Sequence, residues 1–284
     1  MTRVDQFESV FRSADKPVFE FLPLELQRAL VVTDLTGAGA RAFLDSVRAF
    51  LGVLGAGVRW DLVDGDAFAT TEQLLERVSE HRPDLVCTYR NLHSEAWRWP
   101  HSLGEHLDVL TQSTSCSVVV LPHPAAGRAS EHALEDTDTV MAVTDHMADD
   151  ASLVNAAAAF TSDGGKLMLV HVEDEAGFER TMEVIGKIDE IDTQTARERI
   201  HAQLLKEPAD YIRSCEAAIT AQRPSVRVEE IVTVGNHMTE FRNLIEQHAV
   251  DLLVMHTKDD EQSAMHGLAY PLAVELREIP LLLL

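Results

Sequence analysis

The segment Val226–Thr257 constrains the fold more than any other stretch of the chain. An apolar run, Val228 to Val234, meets Gly235-Asn236. Phe241, Leu244, Ile245 and His248 then recur at helical spacing, and Asp251 leads a second apolar run, Leu252-Leu253-Val254-Met255. The pattern reads as strand, glycine turn, amphipathic helix and strand. Two apolar strands joined by a helix of about three turns form a parallel βαβ unit with a right-handed crossover.

The chain repeats this kind of unit. RALVVTDLTGAGARAFLDSVRAFL from Arg28 and DTVMAVTDHMADDASLVNAAAAFT from Asp138 each carry an apolar strand ending in Val-Thr-Asp, at Asp34 and Asp145. PDLVCTYR from Pro83 matches VDLLVMHT from Val250. Gly104 stands 13 residues before Ser117, and Gly267 stands 13 residues before Pro280, each ahead of a final apolar run. Three landmarks in one order point to a duplication. The copies differ in length: Asp34 to Asp84 is 50 residues and Asp145 to Asp251 is 106. The first copy is expected to lack one strand and the long helical stretch, Gly177 to Gln222, that follows it in the second.

This organisation divides the chain into an extension (1–27), a shortened first domain (28–122), a linker (123–137) and a second domain (138–284). Alternating short apolar strands and helices mean parallel sheets covered on both faces, an α/β class. The extension PVFEFLPLEL is apolar enough to pack. We expect Val18–Leu22 to cover or extend the sheet edge left open by the missing strand.

Composition narrows the function. A formal charge of −23 argues against a nucleic-acid backbone or an anionic membrane as the main partner. No apolar run approaches the roughly 20 residues of a membrane span, and MTRVDQFESVFRSADK has no signal-peptide core. Cys87, Cys116 and Cys215 form no CxxC, so neither a disulfide framework nor a zinc knuckle is indicated. The expected compartment is the cytoplasm. The sequence holds no G-x-S-x-G, P-loop lysine motif, pyrophosphatase loop or metal signature, so no enzyme is expected.

VMAVTD, KLMLVHVED, VTVGN, DLLVMHT and HGLAYPLAVELREIPLLLL resemble the strand and turn signatures of universal stress protein (UspA-like) domains. The resemblance spans nearly all of the chain from Arg28 and is weaker in the first copy. It implies two tandem Rossmann-like domains of the adenine nucleotide alpha hydrolase type. In the family's numbering the sheet orders would be 2-1-4-5 in the first domain and 3-2-1-4-5 in the second. The final strands would pair antiparallel about a pseudo-twofold axis, an intrachain pseudo-dimer, with a further homodimer left open.

In ATP-binding members of that family the fourth strand ends in Gly-x2-Gly, and a Gly-Ser or Gly-Thr follows. The glycines let backbone N–H groups approach phosphates. Here those positions are His256 and Asp259 in the second domain, and Tyr89 and Leu92 in the first. Gly267 and Gly104 remain, followed by Leu268 and Glu105. Each carboxylate of Asp259-Asp260-Glu261 at about 4 Å from a phosphate would cost about 4 kcal/mol before screening. Asp34 and Asp145 match the first-strand Asp that contacts the base in nucleotide-binding members; capping the next turn or helix is the alternative. Asp145, Gly235, His256, Gly267, Asp34 and Gly104 are thus the candidate residues of a vestigial nucleotide site, with Gly104 and Gly267 also read as close-packing positions.

His146, His237, His256 and His266 follow strand ends or adjacent loops in the second domain, as do His93, His101 and His106 in the first. None shows metal-ligand spacing. The loop NLHSEAWRWPHS either lids the first cleft, forms a partner surface or covers apolar area. The functional expectation is a non-enzymatic stress-response protein without a cofactor, acting through unknown protein partners or an unknown small ligand. The alternative is a stress sensor that binds ATP or AMP through altered loops.

Overall fold

The computed structural model describes residues 19–99, 102–127, 129–130, 132–144, 147, 150–257 and 269–284. In the first half, β1 (Arg28–Val32), α1 (Gly37–Phe50), β2 (Arg59–Val63), α2 (Thr71–His81), β3 (Leu85–Tyr89), α3 (Glu105–Ser113) and β4 (Ser117–Leu121) follow in turn. The second half runs β5 (Thr139–Val143), α4 (Ala151–Phe160), β6 (Lys166–Asp174), α5 (Glu175–Ile185), α6 (Thr193–Gln222) and β7 (Arg227–Gly235). It closes with α7 (His237–His248), β8 (Leu252–Met255), α8 (Ala269–Glu275) and β9 (Leu281–Leu283).

Among the described residues all nine strands form one sheet, ordered β2-β1-β3-β4-β9-β8-β5-β6-β7. Reading inward from each edge gives the two orders that the resemblance implied. Every pairing is parallel except the central one. There β4 meets β9 antiparallel, with Val118, Val119 and Val120 opposite Leu283, Leu282 and Leu281. β1, β3, β5 and β8 are buried along nearly their whole length, so their runs are continuously apolar rather than alternating. The helices present matching stripes, such as Ala40, Phe43, Val47 and Phe50 of α1. The second half has the extra strand β7 and the helices α5 and α6 between β6 and β7, which the first half lacks.

The Asp of each repeat has a structural task. The helices α2 and α7 both end on a left-handed residue, Arg82 (φ 47°) and Ala249 (φ 48°). Two residues later, Asp84 Oδ2 accepts the Gln27 and Arg28 N–H groups at 2.8 Å each. Asp251 Oδ2 accepts the Thr139 N–H at 2.7 Å. Each carboxylate therefore locks the start of its half's first strand, β1 or β5, beside the strand it leads.

The halves are tied at further points. Arg90, directly after β3, is buried and donates from Nε to the Ala273 carbonyl at 3.0 Å, and from Nη2 to the Ala273 and Leu276 carbonyls. It thereby satisfies orphan carbonyls at the C-terminal end of α8. Burial, with Arg277 nearby, pulls its pKa down to about 9, which leaves it charged at neutral pH. The 123–137 segment also docks: the Ser130 N–H donates to the Glu278 carbonyl at 3.0 Å, and His132 Nε2 lies 3.1 Å from the Val250 carbonyl.

Two sequence expectations change. The long helical stretch is two helices, α5 and α6, because Gly186 follows α5 and Asp192 caps α6 through the Thr195 N–H. Among the described residues the extension adds no strand to the sheet, whose first-half edge is β2. Val18 lies outside the described residues. Phe19 packs edge-on against Tyr211 of α6 at 6.4 Å, and Leu22 N–H donates to Asn155 Oδ1 of α4 at 3.0 Å. Phe19 and Phe21 are buried.

Burial raises the Asp251 carboxyl from 3.8 to about 6, opposed by the Thr139 N–H and assisted by Asp136 and Asp138. Between those values the folded chain retains a proton that the unfolded chain has released. The Asp251 contribution is therefore full below pH 4 and declines as pH rises towards about 6. Asp251→Asn keeps an acceptor and removes the charge. Its unfolding free energy relative to wild type is expected to rise across that interval, by an amount on the order of 2 kcal/mol. Asp251→Ala, which strands the Thr139 N–H, is expected to cost about 1–3 kcal/mol in urea unfolding at every pH.

Candidate functional site

In an open parallel sheet, ligands bind outside the carboxyl ends of the strands. In the first half that crevice is bordered by the residues after β1 and β3 and is filled by the chain itself. Tyr89, the last residue of β3, is buried and its hydroxyl donates to Asp34 Oδ1. The same hydroxyl lies 2.7 Å from Thr33 Oγ1 and accepts the Asp34 N–H at 3.2 Å. Asp34 Oδ2 accepts the His93 N–H at 2.8 Å. Both carboxylate oxygens of Asp34 are thus engaged internally. Burial and the Asp34 carboxylate push the Tyr89 phenol well above its usual range, so it remains a donor.

The loop after β3 can turn back onto Asp34 because Asn91 and His93 adopt left-handed conformations, φ 58° and 55°. Asn91 N–H donates to the Leu103 carbonyl at 2.8 Å, which fixes the loop against the start of α3. Gly104 stands there with φ 91°, and a Cβ on it would lie 2.7 Å from Asn91 Cα and 2.9 Å from Asn91 N. Only glycine fits that contact. The glycine edge is closed by Asn91.

Aromatic rings cover this seam. Trp97 stacks on His123 at 4.9 Å and 18°, and His123 meets Tyr89 at 4.8 Å. Arg98 lies over Trp97 at 5.4 Å. Beneath, Phe68 contacts His93 at 4.8 Å and His106 at 5.6 Å. Burial lowers the pKa of His106, reinforced by His93, and burial likewise lowers that of His123. Both are neutral rings inside the cluster at neutral pH. Trp97 is therefore a lid residue, whereas Trp99 of the same loop is 57% exposed and covers nothing comparable.

The second half solves the same position differently. His256, which stands where Tyr89 stands in the first half, sits after β8. Its Nε2 lies 2.9 Å from Asp150 Oδ1 and 3.2 Å from Ser152 Oγ. Asp150 also caps α4 through the Leu153 N–H at 3.1 Å. Asp150 and Ser152 share one ring nitrogen. A nucleophile relay needs hydroxyl and carboxylate on opposite nitrogens, so this arrangement does not activate Ser152. Gly235 ends β7 with no left-handed strain, and the flexible Glu240 side chain folds over it.

Of the residues expected at a nucleotide site, the structure places Asp34 and Gly104 in the closed first crevice and His256 at the second. Gly235 lies at the end of β7, and Asp145 and Gly267 lie outside the described residues. His101, His146, His266 and Asp259 lie outside them too. Asp34 caps no helix: Thr36 occupies the N-cap of α1. His237 packs on Phe241 of its own helix at 5.9 Å. Among the described residues no three His, Cys, Asp or Glu side chains converge as a metal site requires, and no helix is long and apolar enough to cross a membrane. The sequence reading missed His123, which it placed in the linker, and Asp150 with Ser152. Asp150-Ala-Ser ahead of an apolar helix is an N-cap signal that marks the latter pair.

Residues 137–268 match the model of the universal stress protein family. Among solved structures, the chain is similar to a universal stress protein from Archaeoglobus fulgidus DSM 4304. Identity there is 13% over 90% of this chain and 95% of that one, with a TM-score of 0.49. It is also similar to a protein of unknown function from Pseudomonas aeruginosa PAO1, at 11% identity over 91% of this chain and 92% of that one, with a TM-score of 0.45. None of the curated proteins matches the chain.

The two glycines separate in a stability measurement. Gly104→Ala is expected to lower the urea unfolding free energy by roughly 1–3 kcal/mol, from backbone strain and the Asn91 contact. Gly235→Ala, which meets only a movable side chain, is expected to cost less than about 1 kcal/mol.

Proposed function

The chain carries a universal stress protein domain at residues 137–268, and on that premise we propose that it serves in stress response as a non-enzymatic protein without conventional ATP binding. It works through protein partners or a small ligand. The observation that carries this reading is the engagement of Asp34. The residue that matches the base-contacting Asp of nucleotide-binding members spends one carboxylate oxygen on Tyr89 and the other on the His93 N–H. A nucleotide entering the first crevice would have to break both bonds and unstack Trp97 from His123. It would also have to lift Asn91 from Gly104 to free the glycine edge. In the second half, His256 is held by Asp150 and Ser152 in place of a phosphate-binding glycine. The acidic surface adds a long-range penalty for a polyanion.

The test combines native mass spectrometry of the purified chain with a thermal-shift titration of ATP, AMP and cyclic AMP. The expected result is no bound nucleotide mass and no rise in melting temperature at millimolar concentration. A rise that grows with ligand concentration, as linkage requires, contradicts the proposal and favours a nucleotide sensor with altered loops.

A further inference from the structure

A second concave region lies at the opposite end of the strands from the crevices. Gln27 immediately precedes β1 and Val58 immediately precedes β2, and both line a cavity of about 580 Å³. That volume falls within the range of roughly 300–1,000 Å³ typical of small-molecule sites. Its walls come from four separate parts of the chain, one of them Ala159 of α4. Phe21, Leu24 and Leu26 belong to the N-terminal strap, Leu54 and Val58 to the turn before β2, and Arg223 to the end of α6.

The strap is pinned on both sides of this cavity. Asn155 of α4 accepts the Leu22 N–H at 3.0 Å and donates to the Glu20 carbonyl at 3.4 Å. Asp84 accepts the Gln27 and Arg28 N–H groups at 2.8 Å. Pro23–Leu26, between the anchors, forms one wall. Leu24 there remains 41% exposed. Aliphatic surface held around a roomy cavity is the arrangement that an apolar ligand stabilises by removing it from water.

The polar groups indicate the ligand's charge. Among the described residues lining the cavity, Arg223 is the one guanidinium, and it is already committed. It donates to the Ala158 carbonyl, to the Thr161 carbonyl at 2.9 Å and to Asp163 Oδ1 at 2.8 Å. Its charge is met by Asp163. Glu25 adds a negative charge at the wall. Among the described residues lining the cavity, an anionic headgroup would find no free cation and a carboxylate beside it. We propose that this cavity binds a small uncharged apolar molecule, and that the strap, the turn before β2, the ends of α4 and α6 and the ligand form one binding unit.

Fluorescence titration of the full chain with Nile red, an uncharged dye that brightens in apolar surroundings, tests this directly. One saturable site is expected. Leu24→Asp, at an exposed wall position, is expected to weaken binding about tenfold or more, because a carboxylate would face the dye. Val53→Trp, which fills the cavity from the other wall, is expected to do the same. Val184→Asp, on the exposed surface of α5, is expected to leave binding unchanged, and matching melting temperatures check that each variant is folded. 1-Octanol is expected to displace the dye at least about tenfold better than octanoate. Absence of saturation, or equal affinity in Leu24→Asp and Val53→Trp, overturns the site. Equal displacement by octanoate overturns the ligand class.

Discussion

The antiparallel pairing of β4 with β9 decides how everything else in the molecule is arranged. Each half alone would end in an apolar edge strand. β9 is three consecutive buried leucines, and β4 is buried along almost all of its length. Such edges cannot face water, and each covers the other. A sheet that would otherwise be two, of four and five strands, becomes one of nine. Because the pairing is antiparallel, the two halves are related by a pseudo-twofold axis through it. Elements at equivalent positions therefore face each other across that axis, and this is why Arg90 of the first half reaches the end of α8 in the second.

The two halves share the scaffold and differ at the rims. Asp84 and Asp251 perform the same strand-locking task, and Arg82 and Ala249 end the preceding helices in the same left-handed conformation. These contacts belong to folding and show little divergence. At the strand ends the copies part. Tyr89 bonds to Asp34, whereas the equivalent His256 turns to Asp150 and Ser152 at the start of α4. A phenol buried between Thr33 and Asp34 makes a closed, dry contact. An imidazole held by a carboxylate and a hydroxyl makes a partly exposed one. Neither Tyr89 nor His256 is a glycine, the residue type that lets a backbone approach a phosphate closely.

The fold was legible in the sequence because its signals are local and repeated. Short apolar runs, a glycine turn and Asp at a fixed place recur in both copies, and each was enough to place a strand within a residue or two. Strand order came from the family resemblance, since periodicity alone does not state which strands are neighbours. The site was less legible. Asp34 and Gly104 stood out by position, but their partners did not. Nothing in the local pattern around His123, in a segment rich in Ala, Pro and charge, indicates that its ring lies between Tyr89 and Trp97. The strap failed for a related reason. Phe19 and Phe21 are visibly apolar, yet choosing between a sheet edge and the helices α4 and α6 depends on which surface the second half leaves uncovered. Long-range placement of this kind is not encoded in a window of a few residues.

Through β4–β9, Arg90 and the strap, the two halves are expected to unfold as a single cooperative unit. Differential scanning calorimetry of the intact chain tests it most directly. One transition, with a calorimetric to van't Hoff enthalpy ratio of about one, is the predicted result. Two resolved transitions, or a ratio well above one, would show halves that unfold independently and would contradict the claim.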